Sequence, residues 1–236
     1  MAGKPSPTIR EVLHSTDPAV ARGHGLIWRT FHKSESVGRG EWLNSLRERE
    51  AGLWTDMRWH LLVAELAGAV IGVATGTYLG SINTAVIGYI AVSRAARGTG
   101  VGPRLRTRLR NLFRRDARQL SGKPLQAIIG EIRRDNPWLR TLIRRDKVLA
   151  LDFGYRQPRL RPGEPSVPLI MYYEGLDRVR HRLPSAQIRK LLYVLWRRTY
   201  RIAQPLSDPA FRRMLAELDG RSFIGEIRLD DLPARA

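Results

Sequence analysis

The sequence contains no cysteine, which excludes disulfides, thiolate metal sites and a thiol nucleophile. It is poor in lysine. Of 41 basic residues only five are lysine, at positions 4, 33, 123, 147 and 190. Metal-ligand spacing is also missing: histidines 14, 24, 32, 60 and 181 form no HxxxH or similar pair, so no metal is expected. The opening MAGKPSPTIR lacks the apolar stretch of a secretory signal and reads as a disordered lead-in over residues 1–7, with a cytoplasmic location expected.

Arginine is what the chain has in excess. Lys and Arg total 41 against 22 acidic residues, a formal charge of +19. The guanidinium fork suits phosphates and carboxylates, so anionic ligands, nucleic acid and an anionic membrane surface are admissible partners, while a genome-wide arginine bias gives the same excess. With 43% hydrophobic residues over 236 positions the chain can bury a core.

Charge is absent altogether from Leu66 to Ser93, and Gly68, Gly72, Gly76 and Gly80 recur there at the four-residue spacing of packed membrane helices. Against a membrane helix stand the wealth of Val, Ile, Thr and Tyr and the interruption GSINT at 80–84. Three successive strands are the preferred reading, at 58–66, 69–79 and 84–92.

Around them TIREVLHS reads as an opening strand, followed by helices from Asp17-Pro18 and from GEWLNSLREREAG. Downstream come an amphipathic helix with Leu105, Leu109, Leu112 and Phe113 on one face, a buried-type strand LQAIIGEI, a helix over 137–152, and strands near Tyr155 and over 167–173. This order predicts an α/β fold, a mixed central sheet flanked by helices, over residues 8–175. Residues 176–236 read as a basic helical C-terminal extension, with helices at 185–203 and 209–218. Ile188, Leu191, Leu192, Leu195 and Ile202 share one face of the first, with Trp196 and Tyr200 beside it, which suits docking on the chain's own domain.

The stretch R-G-T-G-V-G, Arg97 to Gly102, follows a strand and opens a helix. The unmatched amides of a helix's first turn point into such a loop, glycines let backbone approach a ligand, and the helix dipole favours negative charge there. Pro103 suits the first turn because its missing N–H would have had no partner. An ordinary strand-to-helix turn is the plain alternative; Walker and Rossmann spacings are both absent.

IAVSRAARGTGVG, with the strand Ile90-Ala91-Val92 and the pattern Arg97-x-x-Gly100-x-Gly102, resembles the acetyl-CoA motif of the GNAT superfamily of N-acetyltransferases. The resemblance implies that backbone groups of Ile90 and Val92 pair with the pantetheine arm and that amides of Arg97, Gly98, Thr99, Gly100, Val101 and Gly102 grip the pyrophosphate. Arg104 and Arg106 are near enough in sequence to add charge. Arg94 stands where the family often has proline.

Glu131-Ile132-Arg133-Arg134-Asp135-Asn136 is similar to the E-V-R-x-x-N element of the branch that acetylates ribosomal-protein N-termini. That likeness implies Glu131 as general base and Asn136 in cofactor positioning; an ion pair of Glu131 with Arg133 or Arg134 is the competing reading. The tyrosine that the family uses as general acid is replaced by Ala150, four residues before Gly154. Tyr155, Tyr172 and Tyr173 are substitutes to weigh, and a thiolate with a pKa near ~8.5 leaves tolerably without an acid. The uncharged TAVIGYIAV lacks the carboxylate of histone-type members.

The expected activity is thus acetyl transfer from acetyl-CoA, as co-substrate, to a primary amine on a small molecule or protein, with a homodimer admissible. The alternative is a non-catalytic nucleic-acid or ribosome-binding module on a GNAT-like fold.

Overall fold

The computed structural model describes residues 6–232, so most of the lead-in expected over 1–7 lies outside the described residues. The chain forms two compact units, the first running to Leu125 and the second beginning at Gln126.

In the first unit β1 (Thr8–Val12), β2 (Met57–Leu66), β3 (Ala69–Leu79) and β4 (Thr84–Val92) pair in that spatial order, each antiparallel to the next. The β2–β3 turn uses Ala67 and Gly68, both at positive φ. Helices α1 (Ala19–Thr30) and α2 (Arg39–Glu50) bury Val20, Ile27, Trp42 and Leu46 against Leu61, Val63 and Val73 on one face. Asp17 starts α1 by accepting the Ala19 N–H at 2.9 Å.

Helix α3 (Val101–Ser121) lies on the opposite face. Leu105, Leu109, Leu112 and Phe113 are buried, as the periodicity predicts, most of its arginines are exposed with Arg106 the buried exception, and Gly122 in the left-handed region ends it. Gly72 and Gly76 of the glycine repeat belong to this contact. Residues four apart on a strand share a face, and a Cβ on Gly72 would come within 2.8 Å of Val101, one on Gly76 within 2.5 Å of Phe113. The spacing that permits close helix packing in a membrane here permits a close helix on a sheet. Among the described residues no helix is long and apolar enough to cross a membrane.

The second unit contains β5 (Ala127–Ile132), α4 (Pro137–Asp146), β6 (Leu149–Ala150), β7 (Arg156–Gln157), β8 (Val167–Pro168) and β9 (Ile170–Gly175). Strand β9 pairs antiparallel with both β5 and β6, while β7 and β8 form a separate hairpin. The helix expected over 137–152 ends at Asp146. Lys147 takes a left-handed conformation, φ 55°, and the apolar run Val148 to Leu151 is drawn beside β9. The strand expected over 167–173 breaks at Leu169, whose N–H donates to the Tyr155 carbonyl at 3.2 Å.

Residues 176–232 belong to this same unit. Short strands β10 (Arg182–Pro184) and β11 (Phe223–Gly225) pair antiparallel, and between them lie α5 (Ser185–Val194) and α6 (Pro209–Asp219). Ile188, Leu191, Leu192, Leu195 and Trp196 are buried, so the apolar face of the basic helix docks on its own unit. The helix is shorter than the expected 185–203 because Leu195–Thr199 opens into a π-turn. The strands of both units and their flanking helices are those of the mixed α/β fold that the sequence predicts.

Candidate active site

The glycine loop lies in the first unit. Strand β4 carries a bulge at Gly88, opposite Thr75 and Gly76, and the Thr75 hydroxyl accepts the Tyr89 N–H at 3.1 Å. After the bulge Ile90 and Val92 pair with Ala74 and Gly72 of β3. A short 3₁₀ turn, Arg94–Ala96, then leads into the loop, closed by the Thr99 hydroxyl donating to the Ala96 carbonyl at 2.7 Å.

Gly98 and Gly100 take φ of 78° and 82°, where L side chains are strained, and Gly100 is the residue from which α3 springs. Residues 97 to 100 are exposed. Among the described residues none of the amides from Gly98 to Gly102 donates to a backbone carbonyl. The loop therefore offers a run of amide donors at a helix N-terminus, beside glycines whose missing side chains leave open space.

Of the arginines expected to add charge here, Arg104 is exposed and donates to the Pro7 carbonyl at 3.1 Å, whereas Arg106 is buried at 7% exposure. Arg106 is thus not displayed on the loop's surface, because it sits on the packed side of α3 with Leu105 and Leu109.

The second unit holds the carboxylate. Glu131, near the end of β5 and opposite Met171, accepts hydrogen bonds on Oε1 from the Tyr155 hydroxyl and on Oε2 from the Tyr200 hydroxyl. Burial pushes its carboxyl up to about 7, with the Tyr200 hydroxyl pulling the other way. The competing ion-pair reading fails: Arg133 Nε donates to Asp135 at 3.1 Å and Arg134 to the Asp231 carbonyl at 2.8 Å, and the two tyrosines are the partners of Glu131 among the described residues.

Asn136 caps α4 through Oδ1, which accepts the Trp138 N–H at 3.0 Å. Ala150 is buried in β6 opposite Tyr172 and brings no acid. Of the three substitute tyrosines Tyr155 alone reaches Glu131; the Tyr172 hydroxyl lies over Gly130, and Tyr173 accepts from Gln187 at 3.4 Å. Tyr200 is the site residue that sequence reasoning missed. Its place beside an apolar helix face signals packing only.

The profile of the acetyltransferase (GNAT) family matches residues 25–122, the stretch that holds β2, β3, β4, the glycine loop and α3. This stretch is a GNAT acetyltransferase domain. The match ends before Glu131.

No curated protein sequence matches the chain significantly. Among solved structures, a GNAT-family protein from Bacteroides thetaiotaomicron aligns at 16% identity and a TM-score of 0.57, over 83% of this chain and 99% of its own. The Salmonella typhimurium protein yncA, solved with its cofactor acetyl-CoA, aligns at 21% identity and a TM-score of 0.50, over 73% and 95%. The ribosomal-protein-alanine N-acetyltransferase of Brucella melitensis aligns at 19% identity and a TM-score of 0.51, over 72% and 99%. At these identities the GNAT likeness is one of fold.

Proposed function

We propose that the chain is an N-acetyltransferase that moves an acetyl group from acetyl-CoA to a primary amine by direct attack in a ternary complex. The observation that carries this reading is the loop of the GNAT domain, where amides from Gly98 to Gly102 stand without backbone partners at the start of α3. These donors suit a pyrophosphate, and the glycines at 98 and 100 leave room for it. The solved relative that holds acetyl-CoA supports the choice of ligand.

Bound acetyl-CoA supplies an activated thioester carbonyl. In this reading the backbone of Ile90 and Val92 aligns the pantetheine arm, and Asn136, whose Oδ1 is engaged in capping α4, offers its amide N–H groups to the ligand. Glu131 takes the proton that the amine loses as its nitrogen bonds to the carbonyl carbon and the carbon–sulfur bond breaks. A carboxylate titrating near 7 is a stronger base than an ordinary one and is still half ionised at neutral pH. The released thiolate can take its proton from water.

The experiment is isothermal titration with acetyl-CoA at physiological salt, with free CoA and a short RNA as comparators. Salt-tolerant binding of acetyl-CoA, followed by turnover of an amine, is the expected result. Binding of RNA alone, weakening steeply with salt, would replace the enzyme with the phosphate-binding module.

A further inference from the structure

Glu131 is held from two directions by segments far apart in sequence. Tyr155 follows α4 in the first part of the unit, at 1% exposure, with its ring 6.1 Å from that of Phe153. Tyr200 comes from the stretch after 176 and is separated from Glu131 by 69 positions.

The backbone around Tyr200 is irregular in three respects. Leu195–Thr199 forms a π-turn, closed by the Tyr200 N–H donating to the Leu195 carbonyl at 3.2 Å. The next residue, Arg201, takes φ 58°, a left-handed conformation in a residue other than glycine. The turn also buries the Trp196 indole N–H and the Thr199 hydroxyl without a hydrogen-bond partner among the described residues. An ordinary α-helix continued through 203 would have neither the π-turn nor the left-handed Arg201. A π-turn and a left-handed arginine are conformations that persist where surrounding structure gains from the side chain they aim, and here they bracket the tyrosine that reaches Glu131.

We propose that Tyr200 is a positioning residue for Glu131: acting opposite Tyr155, its hydroxyl fixes the carboxylate's orientation and favours its charged form, which makes the C-terminal segment part of the reaction centre. This rests on the reading of Glu131 as the base. Each carboxylate oxygen accepts one phenolic hydroxyl, so the group cannot rotate without breaking a bond. The remaining lone pairs stay open to an amine proton or a bridging water. With no cation paired to Glu131 among the described residues, two neutral donors take the part that an arginine would otherwise play, without collapsing the carboxyl's basicity. Ala150 gives the position no help from β6.

The test compares the full-length chain with Tyr200→Phe and Tyr155→Phe, each of which keeps its ring. Two readouts are taken: the titration midpoint of the Glu131 carboxyl by ¹³C NMR of glutamate-labelled protein, assigned with Glu131→Gln, and the pH profile of kcat/KM for acetylation. On β9 the neighbour across from Glu131 is the uncharged Met171, and the cations flanking Tyr200, Arg198 and Arg201, are present in every chain compared and cancel.

The expected result for Tyr200→Phe is a carboxyl midpoint raised by about one pH unit, since a hydrogen bond to the charged form is lost. The acid limb of the rate profile should move with it, acetyl-CoA affinity staying within twofold. An unmoved midpoint in Tyr200→Phe overturns the proposal. If that variant fails to fold, a midpoint raised in Tyr155→Phe supports the tyrosine clamp and an unmoved one overturns it. A raised midpoint with an unmoved rate profile supports the tuning by Tyr200 and removes Glu131 from the reaction, so the two readings fail separately.

Discussion

Gly102 and Gly100 lie two residues apart, yet they test the loop differently. Gly100 sits at φ 82°, so any side chain there adds about 1 kcal/mol of strain to whatever it does to a ligand. Gly102 lies inside α3, and a Cβ would stand 3.6 Å from Val92, an ordinary contact. Gly102→Glu therefore separates the effects by sign. A carboxylate in a helix's first turn favours the helix by about 0.5 kcal/mol, while it repels a pyrophosphate at the same amides. The expected outcome is an acetyl-CoA affinity at least about tenfold weaker, by calorimetry, with the melting temperature unchanged or slightly higher. At Glu131 the expected rate profile rises with pH through about 7, because the base acts when ionised. Glu131→Gln should lower kcat/KM at neutral pH on the order of 10²-fold, with acetyl-CoA affinity retained in the binding assay.

Between elements, the close approach of α3 to β3 depends on side chains that are not there. Gly76→Ala would set a Cβ 2.5 Å from the Phe113 ring and 2.6 Å from the Val86 carbonyl, and a backbone carbonyl cannot step aside. A loss of about 2–3 kcal/mol is expected in denaturant unfolding. Beneath the same helix His60, 0% exposed, contacts Glu11 at 2.6 Å and Asp116 at 2.5 Å, while Arg49 and Arg58 donate to the two carboxylates. Burial acts to raise the Glu11 carboxyl, but His60 and Arg49 outweigh it and bring it down from 4.5 to about 2. A depressed carboxylate contributes stability above its unfolded value and loses it as pH falls through the folded one. The wild type should therefore lose about 2 kcal/mol between pH 5 and 2, a dependence that Glu11→Gln should flatten while lowering stability at neutral pH.

Elements of the first unit were legible because their signals are local. The strands at 69–79 and 84–92 have the predicted bounds, and the leucine spacing of α3 states its buried face. The early end of α4 was not legible, since Lys147 in the left-handed region carries no glycine or proline to announce the stop. The glycine repeat was visible, but whether its neighbour is a helix or a lipid-facing twin depends on tertiary packing.

For the whole molecule, a charge of +19 makes nonspecific attraction to polyanions the expected background of any binding assay. Raising salt from about 50 to 200 mM should weaken RNA association by orders of magnitude, whereas acetyl-CoA held by backbone amides should change by a few-fold at most; comparable slopes in paired titrations would place acetyl-CoA among the nonspecific anions. The candidate site was half legible on this scale. The glycine loop announces itself in six consecutive residues, and Glu131 in a short motif, but Tyr200 could not be found from sequence because its partner lies 69 positions away and an unpredicted π-turn aims it.

That separation bears on how the protein is made. A nascent chain that has already emerged through Tyr155 displays the glycine loop and a carboxylate with one partner, while the second tyrosine is still to be translated. The carboxylate proposed as the base thus acquires its second donor only when Tyr200 follows, and a product released before that residue would carry the glycine loop joined to a carboxylate with one of its two donors.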